Sequence, residues 1–78
     1  MMKEKIAQIL GEINSFKAES KEALENFRVT YISKKGVIPA LFADFKQVAP
    51  EMRKEIGMQL NELKNRAQEV FDEQMQQF

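Results

Sequence analysis

The 78-residue sequence contains no cysteine, no histidine and no tryptophan, and only one tyrosine. Without cysteine there is no disulfide and no thiolate nucleophile, and without histidine there is no imidazole base. The two absences together remove the Cys/His zinc sites. Three glycines and two prolines are too few for a turn-rich all-β chain. The longest apolar run, Val37 to Ala43, holds Pro39 and falls far short of the roughly 20 residues that span a bilayer. Nothing behind Met1-Met2-Lys3-Glu4-Lys5 reads as the apolar core of a signal peptide. The expectation is a cytoplasmic helical piece, no membrane partner, and no autonomous enzyme.

Charge is balanced in total, with 12 basic and 12 acidic residues, and unbalanced along the chain. Residues 28–54 carry Arg28, Lys34, Lys35, Lys46, Arg53 and Lys54 against Asp44 and Glu51, a net of +4. Residues 55–78 carry Lys64 and Arg66 against Glu55, Glu62, Glu69, Asp72 and Glu73, a net of −3. Screening limits each charge to about 8–10 Å, so a basic middle attracts phosphate whatever the sum.

Apolar periodicity predicts about four helices. Met2, Ile6, Ile9, Ile13 and Phe16 form a narrow seam, placing a first helix near 2–18. Ser20 is a good N-cap for a second, near 21–32, whose β-branched Val29, Thr30 and Ile32 make a short strand the competing reading. Gly36 ends that helix if it takes a positive φ. Pro39 belongs in a first turn, so a third helix starts close to Ile38 and runs towards Val48. Pro50 and Glu51 open the last, with Met52, Ile56, Leu60, Leu63, Ala67, Phe71, Met75 and Phe78 as its seam. A helix from 51 to 78 would be roughly 42 Å long, more than a globule of this size holds. The first helix is its expected partner, antiparallel, with Lys3 and Lys5 facing Glu69, Asp72 and Glu73. The expected fold is therefore all-α, an antiparallel two-helix coiled-coil arm with a short helical head. The helical pattern continues to Phe78 without a cap, as expected of a fragment cut from a longer protein.

Catalytic chemistry finds no candidates. Glu51 with Glu55, and Glu69 with Glu73, are same-face acids that read as solvated surface, and three scattered glycines make no phosphate loop. No catalytic, cofactor or metal site is expected. Lys34-Lys35-Gly36, preceded by Arg28, is a basic turn able to grip a nucleic-acid backbone. Tyr31 could stack on a base, although a tyrosine in an apolar stripe is usually core. Gly57 suggests close approach by the second or third helix, and Asn61 a bridge to the turn's backbone.

Leu24-Glu25-Asn26-Phe27-Arg28-Val29-Thr30-Tyr31-Ile32-Ser33-Lys34-Lys35-Gly36 resembles the Leu-x-x-x-Arg-x-x-Tyr-Leu-Gly-Lys-Lys-Gly stretch of the bacterial phenylalanyl-tRNA synthetase alpha-chain family. Ala49-Pro50-Glu51-Met52-Arg53 continues the match, and Gly57, Asn61 and Lys64 fit its Gly-x-x-x-Asn-x-x-Lys pattern. Ser33 departs from the family's glycine. The resemblance covers residues 1–78 and implies an N-terminal helical arm domain that contacts tRNA(Phe), with the catalytic module elsewhere. The parent it implies is a class II ligase of two alpha and two beta chains that uses ATP and Mg2+. By resemblance Arg28, Lys34, Lys35 and Lys64 are candidate tRNA-phosphate contacts; Lys46, Arg53 and Lys54 join them from charge position alone. The competing reading is a purely structural coiled-coil module for subunit assembly, and an exposed stripe would let the isolated piece self-associate.

Overall fold

A computed structural model describes residues 2–78. The described residues include four α-helices: α1 (Met2–Ser15), α2 (Lys21–Phe27), α3 (Val37–Asp44) and α4 (Pro50–Met75). A π-helical turn, Arg28–Ile32, continues α2, and a 3-10 turn, Phe45–Gln47, continues α3. Among the described residues there is no strand, and no helix is long and apolar enough to cross a membrane.

The local signals act as their chemistry requires. Ser20 holds an extended backbone and its Oγ accepts from the Ala23 N–H at 3.1 Å, capping α2. Pro39 occupies the first turn of α3, where its missing N–H has no partner to lose. Pro50 opens α4 with Glu51 beside it. The β-branched segment around Val29 is a widened helical turn rather than a strand: the Ser33 N–H reaches back five residues to the Arg28 carbonyl at 2.8 Å. The helices end earlier than their apolar pattern, α1 at Ser15 and α4 at Met75.

α1 and α4 do pair, but in parallel, which corrects the antiparallel arm expected above. Lys3 Nζ meets Glu55 Oε1 at 2.8 Å, and Arg66 Nε donates to Asn14 Oδ1 at 2.6 Å, the same 52-residue offset at both ends of α1. Beyond α1, Gln74 donates to the Phe16 carbonyl at 2.7 Å and accepts from the Ala18 N–H at 2.6 Å. Lys3 therefore stands beside Glu55, not beside the acidic end of α4. The reason is the length of the connection. Residues 21–48 are almost wholly helical and reach roughly 40 Å at 1.5 Å per residue, enough to run back down the whole of α1. This return limb is the antiparallel partner of α4. Phe27 stacks on Phe16 near the top with ring centroids 4.4 Å apart, Ile38 and Phe42 lie opposite Lys64 and Gln68 midway, and Phe45 approaches Gly57 lower down.

The result is a rod of 43 × 20 × 16 Å with α4 along its length. α1 flanks α4 on one side and the limb on the other, so no bare stalk overhangs a separate head. Ile6, Ile9 and Ile13 of α1 close on Ile56, Leu60, Leu63, Ala67 and Val70 of α4, with Phe27, Ile38 and Leu41 from the limb. Val70, not Phe71, completes the seam, which gives α4 a 3.5-residue repeat. Met75 and Phe78, expected in the seam, remain 40% and 45% exposed.

Gly11 lies exposed on α1 with nothing within 4 Å of where a Cβ would stand. Alanine there should stabilise the rod by about 1 kcal/mol through helix propensity. A melting temperature raised by about 4–8 °C is the expected reading; no rise would mean that α1 contributes little to the cooperative unit.

Candidate nucleic-acid interface

The basic turn is built from the π turn outward. Arg28 accepts the Ser33 N–H, and Ser33 Oγ donates to the Val29 carbonyl at 2.8 Å. The Gly36 N–H then closes onto the Ser33 carbonyl at 2.7 Å. Five backbone atoms are thus fixed around Lys34 and Lys35, whose side chains are exposed. Ser33 has a φ of −63° and Gly36 of −78°, and no described residue has a positive φ. The expected left-handed glycine is not there. Gly36 is required for space: a Cβ would stand 2.8 Å from both the carbonyl carbon and the oxygen of Tyr31. Serine at position 33 costs nothing in this geometry, and its hydroxyl adds a bond.

The candidate cations divide by what holds them. Arg28 donates from Nε to Glu25 Oε1 at 2.9 Å and forms a salt bridge with the same carboxylate. The guanidinium's hydrogen bond holds the Glu25 carboxyl below its ordinary range, and Arg28 is raised in turn. Arg53 donates from Nε to the Val48 carbonyl at 3.0 Å and from Nη2 to the Lys46 carbonyl at 3.3 Å, fastening the 3-10 turn to α4. Both arginines have structural partners. Among the described residues, Lys34, Lys35, Lys46, Lys54 and Lys64 enter no salt bridge.

Charge segregates across α4. Arg53 and Lys64 turn towards the limb. Glu55, Glu62 and Glu69, each seven residues apart, lie on the α1 flank, where Lys3 pairs with Glu55, Glu62 shares a crevice with Lys3, and Arg66 links Glu69 to Asn14. Arg53 and Lys64 thus stand on the limb side of α4 and these three acids on the other.

Tyr31 is not a free stacking platform. Its ring packs on Phe27 with centroids 5.0 Å apart, and its hydroxyl donates to Glu12 Oε1 at 2.8 Å. It ties α1 to the limb. Burial, then the bond to Glu12, pushes its pKa from 10.0 up to about 12. The folded state favours the neutral phenol, so this contribution is complete below pH 10 and is lost as pH rises towards 12. Tyr31→Phe should cost about 1 kcal/mol at neutral pH. Denaturation at pH 7 and pH 11 should show a smaller alkaline loss in the variant; equal losses would reject the Tyr31–Glu12 tie.

Asn61 is exposed and takes no part in the bonds that hold the basic turn. Gly57 is approached as anticipated, by the Phe45 ring at 3.4 Å from an ideal Cβ, an ordinary van der Waals distance. The sequence reading missed an open groove of about 510 Å³ between limb and α4, lined in part by Asn65 and Gln68 beside Lys64. Its only advance signal was the i, i+1, i+4 spacing of these three. Among the described residues no group of three or more acidic side chains is placed to hold a metal ion.

The described residues form an all-helical rod with a lysine pair exposed on a bonded turn. Residues 19–78 match the family described as the N-terminal domain of class II aminoacyl-tRNA synthetases, and the chain belongs to that family. Among its relatives are phenylalanine–tRNA ligase alpha subunits. The chain is 51% identical to that of Bacteroides fragilis over 74 residues, 95% of this chain and 22% of the relative. It is 53% identical to that of Porphyromonas gingivalis over 68 residues, 87% and 20% of the two chains, and 49% identical to that of Cytophaga hutchinsonii over 74 residues, 92% and 22%. It spans about a fifth of the length of the curated relatives it matches. No solved structure matches it.

Proposed function

We propose that this domain binds the backbone of tRNA(Phe) for a phenylalanine–tRNA ligase alpha subunit, helping to hold the acceptor end in an active site outside these residues. The parent would join phenylalanine to its tRNA with ATP and Mg2+, as an assembly of two alpha and two beta chains. Within this chain the work is electrostatic. Lys34, Lys35, Lys46, Lys54 and Lys64 offer ammonium groups to phosphates, and each contact releases counterions. Arg28 and Arg53 would join only by giving up or sharing bonds to Glu25 and to the 3-10 turn. The observation that carries the reading is a bonded turn presenting two lysines without acidic partners, with Glu55, Glu62 and Glu69 of α4 on the opposite flank.

The test is titration of the 78-residue chain with tRNA(Phe) at 50 and 200 mM salt. Five phosphate contacts predict a drop in affinity of a few hundred-fold between the two, from a slope of about 0.9 per contact. No binding at 50 mM, or binding indifferent to salt, rejects the proposal.

The structural-assembly reading draws on the exposed Val29, Met58, Met75 and Phe78. Only Met75 and Phe78 are neighbours, in the last turn, and the α1/α4 seam that would have offered a coiled-coil surface is already closed. Sedimentation of the free chain should therefore give a monomer.

A further inference from the structure

We propose that the groove between the return limb and α4 receives one unstacked nucleobase of the bound RNA, an inference that rests on the tRNA-binding reading and adds base recognition to it. The groove holds about 510 Å³ and is open to solvent, within the roughly 300–1,000 Å³ of small-ligand sites. Its two walls differ in chemistry. Ile38, Pro39 and Phe42 form an apolar side, with Ile38 buried and the Phe42 ring half-exposed. Lys64, Asn65 and Gln68 form the polar side. A flat ring laid on the apolar wall would turn its edge towards the two amides.

The amides suit such an edge. Gln68 Nε2 donates to Asp72 Oδ1 at 3.0 Å, which holds the side chain and leaves its carbonyl oxygen able to accept. Asn65 is exposed and offers both a donor and an acceptor. Base edges alternate donors and acceptors, and single-stranded bases are recognised by stacking plus edge hydrogen bonds.

Charge complementarity selects a nucleotide over an apolar peptide anchor. No carboxylate lines the groove, and Lys64 stands on its rim. The limb leaves the groove wall at Ile32 and rejoins it at Ile38, so Lys34 and Lys35 stand on the loop between these two lining residues. A base seated in the groove would have its flanking phosphates among three lysines that lack acidic partners. An apolar peptide side chain would use neither the lysines nor the amides.

The experiment compares two RNA ligands of equal charge, a single-stranded hexamer of mixed sequence and the corresponding abasic hexamer, titrated into the 78-residue chain with NMR detection. The base-bearing hexamer should bind about tenfold tighter and shift the signals of Ile38, Phe42 and Asn65. Asn65→Trp, a filled groove, should bring it down to the abasic affinity and leave abasic binding unchanged. Asn65→Leu, which keeps the volume small and removes the amide, gives a second reading in case tryptophan perturbs folding; it too should weaken only the base-bearing ligand. Equal, salt-sensitive affinity for both hexamers overturns the base site and leaves the lysine contacts standing. Failure of both to bind at low salt overturns the two together. Groove shifts produced by an acidic helical peptide and by neither hexamer would reassign the groove to a protein partner and overturn the proposal.

Discussion

Gly36→Ala is expected to lower the melting temperature by about 10 °C. The backbone torsions at this position are open to any residue, with φ −78° and ψ 173°, so the cost is one of space alone. The added methyl would sit 2.8 Å from the Tyr31 carbonyl carbon and oxygen and 3.0 Å from the Ser33 oxygen. All three are backbone atoms, and no rotamer change relieves them. Forcing one methyl into such a contact costs about 1–3 kcal/mol, and a domain of this size loses about 4–8 °C per kcal/mol. The strain has two outlets. It can open the π turn at the Ser33–Arg28 bond, or push α3 off α4 at Ile38; either moves Lys34 and Lys35. Thermal denaturation by circular dichroism measures the first effect, and tRNA affinity of the still-folded variant below its melting point the second. Gly57→Ala is the built-in control, since its methyl meets only the tip of the Phe45 ring at 3.4 Å. If the two substitutions cost the same, the tight approach at Gly36 is not a feature of the folded chain.

How far the sequence reveals this fold depends on the range of the interaction involved. Ser20, Pro39 and Pro50 act on backbone groups within four residues, and each marks its helix start correctly. The burial of Ile6, Ile9 and Ile13, or of Leu60 and Leu63, follows from spacing along one helix. Helix direction is different in kind. An apolar seam is symmetric under reversal, so the seams of α1 and α4 pair equally well either way. What decides is whether residues 21–48 form a small cap or a limb as long as α1. That rests on the limb's own packing: Phe27 on Phe16 and Phe45 against Gly57, contacts between residues 11 or 12 positions apart. Val70 displaces Phe71 for the same reason, because two neighbours rather than one choose the buried face of α4.

The site was legible in composition and illegible in partnership. The excess of cations in residues 28–54 does mark the limb and the start of α4. The sequence does not reveal that Glu25 would occupy Arg28, that two carbonyls would occupy Arg53, or that Glu12 would hold the hydroxyl of Tyr31. Each requires knowing which face meets which. The groove at Asn65 and Gln68 has no signature beyond the spacing of its polar side chains, since it is the space left where the π turn and α3 do not reach α4.

Lys34→Glu with Lys35→Glu should weaken tRNA(Phe) binding by about two orders of magnitude at 0.15 M salt and reduce the slope of log affinity against log salt by about 2. Losing two contacts at a slope of about 0.9 each accounts for some 30-fold at that salt. Two new carboxylates facing phosphates supply the rest through repulsion across less than a Debye length. Stability should hardly change, because both side chains are exposed and the turn is secured by Ser33 and Gly36 rather than by the lysines. Net charge alone predicts the same loss from any two lysines, so Lys5→Glu with Lys17→Glu is the necessary comparison. Those residues are exposed, Lys5 in the first turn of α1 and Lys17 just beyond its end, and their replacement lowers the net charge by the same amount. A local interface requires the turn variant to lose far more than the α1-side variant. If the two pairs lose affinity equally, binding is a response to total charge and the limb face has no special part in it. If the turn variant binds as the unmodified chain does, the assembly role remains and the tRNA-contact role does not.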